Sequence, residues 1–218
     1  YNSLLGTLNN AVRESRYRNF PPLTEEQKKE MSEKDIELWE EKAKSGLLRS
    51  DSILLKTLSN LRSAIVAQVE TGSDTYKTLS SIGIETGEYY ENGKLYLRDE
   101  SKLRKAIEED PQAFFNLFGA DGSGDGQRSD MGIAERIYAD LKTAMDELTN
   151  KAGVSTSLRD NSLLSKQLES LDGRIDAWNE RLNTIENRYY RQFTVMEQAI
   201  NRYNMQSAYL MNQFGGGQ

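Results

Sequence analysis

Apolar residues recur at helical spacing along most of the chain. Leucine, isoleucine and valine side chains follow one another every three or four residues in 1–19, in 51–71 and in 133–153. That spacing places them on one face of an α-helix. It predicts three amphipathic helices, the first ending before the prolines that follow Phe20 and the last ending at Gly153. The apolar face of the last helix consists of Ile133, Ile137, Leu141, Met145 and Leu148.

Capping patterns predict three further helices. Thr24 with Gln27 forms a capping box, and Ser32 begins the next helix. Asp110 directly before Pro111 is a typical helix start, because aspartate caps the first turn and proline fits its first position. The Ser32 helix carries Ile36, Trp39, Ala43 and Leu47 on one face. The Pro111 helix carries Phe114, Phe115, Leu117 and Phe118, whose aromatic rings we expect in the core rather than in a ligand pocket.

The segment 82–97 changes to strand-like character. Branched and aromatic residues flank Asn92 and Gly93, the pair that a type I′ turn prefers because both of its central positions need positive φ. We predict a small β-hairpin over about 82–97. It must lean on the helices, because two strands alone are only marginally stable.

The segment 160–214 carries the longest apolar pattern. Its apolar residues alternate at steps of three and four, the heptad spacing of a coiled coil. One extra step of four between Leu182 and Phe193 makes an 11-residue unit, which relaxes the supercoil locally. A helix of about fifty residues is about 75 Å long, more than a small domain is wide, so a partner must cover part of this face. The predicted interface with partner helices is Trp178, Leu182, Ile185, Tyr189, Phe193, Met196, Ile200, Tyr203, Leu210 and Phe214.

The polar faces of this helix change at about Tyr190. Before it, Arg174, Arg181 and Arg188 repeat every seven residues beside the apolar face, where they either pair with acids across an interface or are solvated. Beyond Tyr190, asparagine and glutamine replace most charges. Such a helix depends on packing for its stability, so we expect it to become ordered on a partner helix.

Composition removes several classes of function. The 218 residues include neither cysteine nor histidine, which excludes disulfides, thiolate and imidazole catalysis, and the usual zinc ligands. The net charge of −6 argues against nucleic acid as the main partner. No apolar run approaches the roughly 20 residues of a transmembrane helix. The predicted fold class is mainly α: an elongated helical bundle or coiled coil with a small β-hairpin and a long C-terminal helix.

Two remaining patterns could carry chemistry. The stretch Asp121–Gly126 resembles the first half of a calcium loop, but Gly132 stands where the bidentate glutamate is required, so a plain loop is favoured. Carboxylates cluster at 25–26, 40–41 and 108–110 beside lysine and arginine, as on solvated helix faces. The residues therefore predict an assembly protein with no catalytic residue, cofactor or metal.

Several stretches, in their order and spacing, resemble the C-terminal half of the flagellar filament cap proteins, the FliD family of hook-associated proteins. They are Tyr1–Leu5, Phe20–Gln27, Met31–Glu40, Lys42–Asp51, Leu79–Ile84, Gly93–Leu97 with Leu103, Asp110-Pro111 with Leu117-Phe118, Arg188–Phe193 with Met196-Glu197, and Gln206–Phe214. The segment 24–44 is an insert that is not universal in that family, and we assign it no shared function.

The resemblance implies a structural role rather than an enzymatic one. Proteins of that family form a ring at the distal tip of the bacterial flagellum, outside the cell, after export through the flagellar type III pathway, and they promote the folding and insertion of flagellin. The implied partners are further copies of the chain, flagellin, the hook–filament junction proteins and the protein's own N-terminal helix, with neither nucleic acid nor a membrane span.

The resemblance also implies a domain division. Residues 1–175 would be the C-terminal part of the leg-proximal, D1-like helical domain, including the hairpin. Residues 176–218 would be one helix of the coiled-coil, D0-like leg. The chain begins at Tyr1 within a helical pattern, so we expect it to be a fragment of a longer protein.

Two other interpretations stay open. Another axial component of a flagellum or type III apparatus, such as a hook–filament junction or needle-tip protein, would also pair terminal helices. A carboxylate-based glycan hydrolase would need a cleft that holds an acid of raised pKa. Under the cap interpretation, the apolar face of the long helix engages terminal helices of flagellin or of the junction proteins.

Overall fold

The computed structural model describes residues 1–122, 128–154 and 160–215, and it confirms a mainly α fold with a small hairpin and a long last helix. Within these ranges the chain forms eight α-helices and one pair of strands. The helices are α1 (Asn2–Arg13), α2 (Glu25–Lys29), α3 (Glu33–Lys44), α4 (Ser52–Val66), α5 (Glu100–Glu109), α6 (Pro111–Gly119), α7 (Ile133–Ala152) and α8 (Leu163–Gly215), and the strands are β1 (Ile84–Thr86) and β2 (Leu95–Leu97).

By compactness the chain divides into two units, Tyr1–Thr149 and Asn150–Gln218. The division after residue 175 that the family resemblance implies concerns domains of the longer protein, and it stays a prediction. Most of the stretch that resembles a calcium loop, from 123 to 126, lies outside the described residues.

The predicted capping residues begin α2, α3 and α6. Thr24 Oγ1 accepts the backbone N–H of Gln27, and the Gln27 side chain accepts the backbone N–H of Thr24. Ser32 caps α3, and Asp110 caps α6 directly before Pro111. Each side chain satisfies an N–H group that has no partner within the first turn.

Helices α1 and α3 end earlier than the apolar spacing indicates. α1 ends at Arg13, where the Ser50 N–H donates to the Val12 carbonyl oxygen over 3.1 Å and the chain turns against a later loop. α3 ends at Lys44, so Leu47 does not join the predicted face and is 62% exposed. Tertiary contacts therefore decide both ends.

Helix α4 ends at Val66, before the predicted end near 71. Val69 donates its backbone N–H to the Lys77 carbonyl oxygen over 2.9 Å, outside the helix. Its side chain is nevertheless completely buried. The apolar spacing thus identified a core residue correctly but assigned it the wrong backbone conformation.

The predicted hairpin forms, but with a longer connection. β1 and β2 pair antiparallel. Asn92 and Gly93 both have positive φ, 59° and 91°, as predicted. A 3-10 turn at Tyr89–Glu91 precedes them, so the connection between the strands is longer than this turn alone. The Asn2 side-chain amide exchanges two hydrogen bonds of 2.8 Å with the backbone of Leu95, which fixes the hairpin to α1.

The core of the first unit is formed by side chains from α4 to α7 and the segment before β1. Phe114 and Phe118 pack against it edge to face, 5.3 Å apart. Phe115 is 62% exposed, contrary to the prediction, because α6 turns Ala113 and Leu117 inward. The buried cluster consists of Ile65, Val69, Tyr76, Leu79, Ile82, Ala106, Ala113, Leu117 and Ile133.

Helix α7 turns most of its predicted apolar face inward and buries two charged side chains beside it: Ile133 lies in the core, Ile137 packs against it, and Leu141 and Leu148 are half-buried. Its buried residues are Ile133, Arg136, Asp140 and Ala144, whereas Met145 is 67% exposed. Both buried charged side chains have hydrogen-bond partners within the first unit. Polar contacts therefore widen the buried face of this helix beyond its apolar residues.

Candidate partner-helix interface

Helix α8 carries the predicted interface. Its 53 residues span about 80 Å at 1.5 Å per residue. Ser162 begins the helix: its hydroxyl accepts the Ser165 N–H over 3.2 Å, and its own N–H donates to the Asp160 carboxylate over 2.9 Å. No proline follows, so no residue removes a backbone donor before Gly215. The local sequence therefore supports one continuous helix.

The predicted interface residues are exposed on α8; we call this set the α8 stripe. Nine of the ten are at least half exposed, and Ile185 is half-buried. The exposed fraction is 50% at Tyr189 and Ile200 and 84% at Phe214. A row of large apolar side chains on one helix is a surface suited to another helix or protein. The stripe is Trp178, Leu182, Ile185, Tyr189, Phe193, Met196, Ile200, Tyr203, Leu210 and Phe214.

The polar contacts of α8 are local. Thr184 and Thr194 each donate to the carbonyl oxygen four residues earlier, and the Gln213 amide donates to the Tyr209 hydroxyl over 3.2 Å. These bonds stay within one turn and fix no neighbouring element. Nothing in this set competes with a partner helix for the stripe.

Two of the three repeated arginines, Arg181 and Arg188, lie against aromatic rings. The Arg181 guanidinium carbon lies 5.3 Å from the Trp178 ring centre, and that of Arg188 lies 5.4 Å from the Tyr189 ring centre. Across the described ranges, no arginine of α8 forms an ion pair within 4.0 Å. Each stacked pair contributes about 0.5–1 kcal/mol at an exposed site. The guanidinium groups remain positioned at the flank of the stripe, where an acidic partner could reach them.

The carboxylate clusters show the electrostatics of surface ion pairs and hydrogen bonds. Lys44 and Lys28 lie 3.2 and 3.3 Å from the Glu40 carboxylate and lower its pKa. A hydrogen bond from the Tyr76 hydroxyl lowers the pKa of Glu109. A general acid needs a raised pKa, so neither carboxylate is tuned for that role.

The described ranges contain neither a metal-binding cluster nor a membrane-spanning helix. No three acidic side chains there converge as metal ligands. None of the helices there combines the length and hydropathy needed to cross a bilayer.

A buried arginine is the main feature that the sequence reasoning missed. Arg136 is 2% exposed, and its guanidinium donates to the carbonyl oxygens of Gln68, Ser129 and Ala67 over 2.8, 3.1 and 3.4 Å. Ala67 caps the C-terminus of α4, so the arginine serves carbonyl groups that the helix leaves unpaired. Burial lowers its pKa. The available signal was Asp140, four residues later on the same helix face.

Comparisons with known proteins agree on one family. The sequence profile described as "Flagellar hook-associated protein 2 C-terminus" matches residues 1–205. Proteins named flagellar hook-associated protein 2 are similar to the chain: that of Halalkalibacterium halodurans is 38% identical over 98% of the chain and 43% of its own length. That of Thermotoga maritima is 31% identical over 89% of the chain and 30% of its own length.

The chain thus spans less than half the length of these curated relatives. Among solved structures, the D1-D2-D3 domains of the flagellar cap protein FliD from Escherichia coli match with a TM-score of 0.37 and 24% identity. That match covers 78% of this chain and 33% of the other.

Proposed function

The chain belongs to the flagellar hook-associated protein 2 family, and we propose that it forms the C-terminal part of a flagellar filament cap, a structural assembly protein without catalytic chemistry. The observation that carries this proposal is the α8 stripe, which leaves large apolar side chains at least half exposed along one helix. Contiguous apolar surfaces of this kind are typical of binding sites. A protein that works by pairing helices needs such a surface.

The proposed partners of the stripe are helices of complementary pattern: the terminal helices of flagellin and of the hook–filament junction proteins, and the N-terminal helix of the same protein. Covering the exposed half of one large apolar side chain contributes about 1 kcal/mol. Covering the whole stripe contributes on the order of 10 kcal/mol, before the cost of association and ordering.

The rest of the proposal follows the family. The protein acts outside the cell at the flagellar tip, as a ring of several copies, and promotes the folding and insertion of flagellin. Residues 1–175 belong to a leg-proximal domain and 176–218 to the leg. Export proceeds through the type III pathway, and the absence of cysteine suits a chain that crosses a membrane unfolded.

The test replaces three stripe residues by aspartate in the full-length protein, in cells that lack the wild-type copy. Phe193→Asp, Met196→Asp and Ile200→Asp place three charges in the proposed helix interface. We expect such cells to release flagellin monomers into the medium, because a buried unpaired charge opposes helix pairing.

The matched control places the same charges on the opposite side of α8. Thr194→Asp, Gln198→Asp and Asn201→Asp leave the stripe intact, so cells with this variant should build filaments. Immunoblotting of cells and medium must show that both variants are stable and exported. Filaments of normal length from the stripe variant would contradict the proposal.

A further inference from the structure

A basic groove in the first unit has no role in the proposed α8 contacts. It measures about 1050 Å³ and lies between the segment 16–23, α3 and the turn before α4. Five cationic residues line it against one carboxylate, in a chain whose net charge is −6. The cationic residues are Arg16, Arg18, Lys28, Lys44 and Arg49, and the carboxylate is that of Glu40.

The groove is held open by backbone contacts. Gly46 has a φ of 64°, and a Cβ there would lie 2.8 Å from the Arg16 backbone nitrogen, so the two segments meet at van der Waals distance. The Gly46 N–H donates to the Glu14 carboxylate over 2.8 Å. On the other side, the Trp39 indole N–H donates to the Pro21 carbonyl oxygen over 2.7 Å. These contacts within the chain form the groove before any partner binds.

Within the described part of the chain, the arginines of the groove form no ion pair with an acidic residue. Lys28 and Lys44 both pair with Glu40. Arg16, Arg18 and Arg49 are exposed, and none of them forms an ion pair with a residue that the structure describes. Exposed apolar side chains accompany them, Tyr17 at 54% and Leu47 at 62%. The groove therefore suits an acidic surface that also carries an apolar anchor.

The same unit presents such a surface beyond the other end of α4; we call it the acidic patch. The Tyr76 hydroxyl donates to Glu109 over 2.6 Å, and the Asn116 amide donates to the Thr71 carbonyl oxygen over 3.1 Å, so the loop after α4 lies against α5 and α6. Lys77 and Lys105 pair with two of its carboxylates, which leaves an excess of negative charge. We define the patch by the carboxylates of the loop after α4 and of the end of α5 up to the start of α6: Glu70, Asp74, Glu108, Glu109 and Asp110.

Two exposed apolar side chains border the acidic patch. Ile107 precedes Glu108 and is 43% exposed, and Phe115 lies one helical turn after Pro111 and is 62% exposed. An exposed phenylalanine beside carboxylates matches a groove that combines arginine with tyrosine and leucine. Aromatic anchors of this kind typically contribute most of the binding energy of an interface.

We propose that the acidic patch of one copy of this chain docks into the basic groove of the next, with Phe115 as the anchor. The groove lies directly before the start of α4 and the patch follows its end, and the 15 residues of α4 span about 22 Å. One copy cannot close this contact on itself. The contact is heterologous, so repetition produces a ring if the rotation closes. The inference rests on the self-assembly in the proposed function, and it names the surfaces involved.

The test is reciprocal charge reversal on the full chain, measured by sedimentation velocity. The groove variant carries Arg16→Glu and Arg49→Glu, and the patch variant carries Asp74→Lys and Glu108→Lys. Each variant alone should self-associate more than about a hundredfold more weakly than the wild type, because like charges then face each other. An equimolar mixture should recover association, because each altered surface then meets its opposite.

Three controls make the outcome specific. Lys102→Glu with Lys142→Glu reverses two exposed basic residues outside both surfaces and should leave association unchanged. Phe115→Ala should weaken it about tenfold or more. Wild-type association should weaken as the salt concentration rises from about 0.05 M to about 1 M, since the electrostatic screening length shortens severalfold. Association through α8 does not depend on these charges.

A wild-type chain that stays monomeric at low salt, variants that associate like the wild type, or a mixture that fails to recover association would each overturn the inference. These substitutions leave the α8 stripe intact. Their failure would therefore remove the groove contact without affecting the proposed cap function, which the aspartate substitutions in α8 test separately.

Discussion

Helices α4 and α8 carry the same kind of apolar spacing, but the apolar face of α4 is buried and that of α8 is exposed. In α4 the exposed fraction is 7% at Leu54, 0% at Leu61 and 4% at Ile65. In the α8 stripe the leucines and aromatic residues are at least half exposed. Helical periodicity therefore identifies the face that favours burial, but it does not show whether the surface that packs against this face belongs to the same chain.

The surroundings of the two helices explain the difference. α4 packs against α1, and the Ala67 carbonyl oxygen at its C-terminus accepts a hydrogen bond from the Arg136 guanidinium. Arg62, on its exposed face, donates to the Asn92 carbonyl oxygen. The side-chain hydrogen bonds along α8 reach only one turn. α4 is thus stabilised by its neighbours, whereas we propose that α8 gains its stability from a partner helix.

The largest expected effect comes from opening a cavity at Leu61. Leu61→Ala should lower the free energy of unfolding of the first unit by about 2–5 kcal/mol, because a completely buried side chain leaves a void. The matched substitution Leu182→Ala in α8 should change it by less than about 0.5 kcal/mol. Urea denaturation followed by circular dichroism measures both. Equal losses at the two sites would remove the contrast between the helices.

The next effect concerns the buried arginine. Arg136→Met retains much of the side-chain volume but leaves three carbonyl oxygens without their donor, so we expect a loss of about 3 kcal/mol. Arg136→Lys should recover only part of it, because one ammonium cannot reproduce the planar fork. The same denaturation assay applies. A fully stable methionine variant would show that the charge contributes nothing to α4.

Two glycines sharpen the comparison at the level of the backbone. Gly83 has a φ of 79°, and a Cβ there would lie 2.2 Å from the Asp99 carbonyl oxygen, so Gly83→Ala should cost about 2 kcal/mol or more. Gly173 lies in α8 with nothing within 4 Å of a Cβ, so Gly173→Ala should stabilise that helix by about 0.5–1 kcal/mol. Urea denaturation measures the effect of Gly83→Ala. Loss of the helical circular dichroism signal on heating measures the effect of Gly173→Ala. Opposite signs are expected, and equal signs would contradict the account.

The smallest effect is a pH dependence confined to the first unit. The hydrogen bond from Tyr76 lowers the pKa of Glu109 and raises that of Tyr76. Its stabilisation is therefore present above the ordinary glutamate pKa and is lost as the pH falls through the lowered one. At high pH it persists below the ordinary tyrosine pKa and is lost as the pH rises through the raised one.

Tyr76→Phe tests this linkage. Its loss of stability relative to the wild type should be present at pH 7 and should shrink as the pH falls from about 5 to about 3. Tyr90→Phe is the control, because Tyr90 is 78% exposed and its hydroxyl makes no hydrogen bond within the described part of the chain. A constant difference between Tyr76→Phe and the wild type at every pH would show that the bond does not couple to Glu109.

The sequence predicts those features that depend on local chemistry. Thr24, Ser32 and Asp110 cap helices because their side chains reach N–H groups a few residues away, and Asn92 with Gly93 adopts the positive φ expected of that pair. Such interactions involve neighbours in the sequence, so one segment suffices to recognise them. The apolar stripe of α8 was predicted for the same reason.

Features that depend on distant partners could not be predicted. α4 ends at Val66 because the following backbone pairs with Lys77, and α7 buries Arg136 because that side chain reaches the end of α4. Phe115 is exposed because α6 already fills the core with Leu117 and Ala113. Each outcome depends on which segment arrives opposite, and periodicity carries no information about that.

The central claim, that a partner helix covers the α8 stripe in the assembled flagellum, can be tested with one thiol placed in α8, because these 218 residues contain no cysteine. Any cysteine elsewhere in the full-length protein is first replaced by serine. Ile200→Cys places the thiol on the stripe, and Gln198→Cys places it on the other side of the helix. The measurement is the alkylation rate in the full-length protein, free in solution and on filaments. The account predicts that assembly slows alkylation at 200 by at least about tenfold and leaves 198 nearly unchanged. Equal rates at both positions on filaments would contradict it.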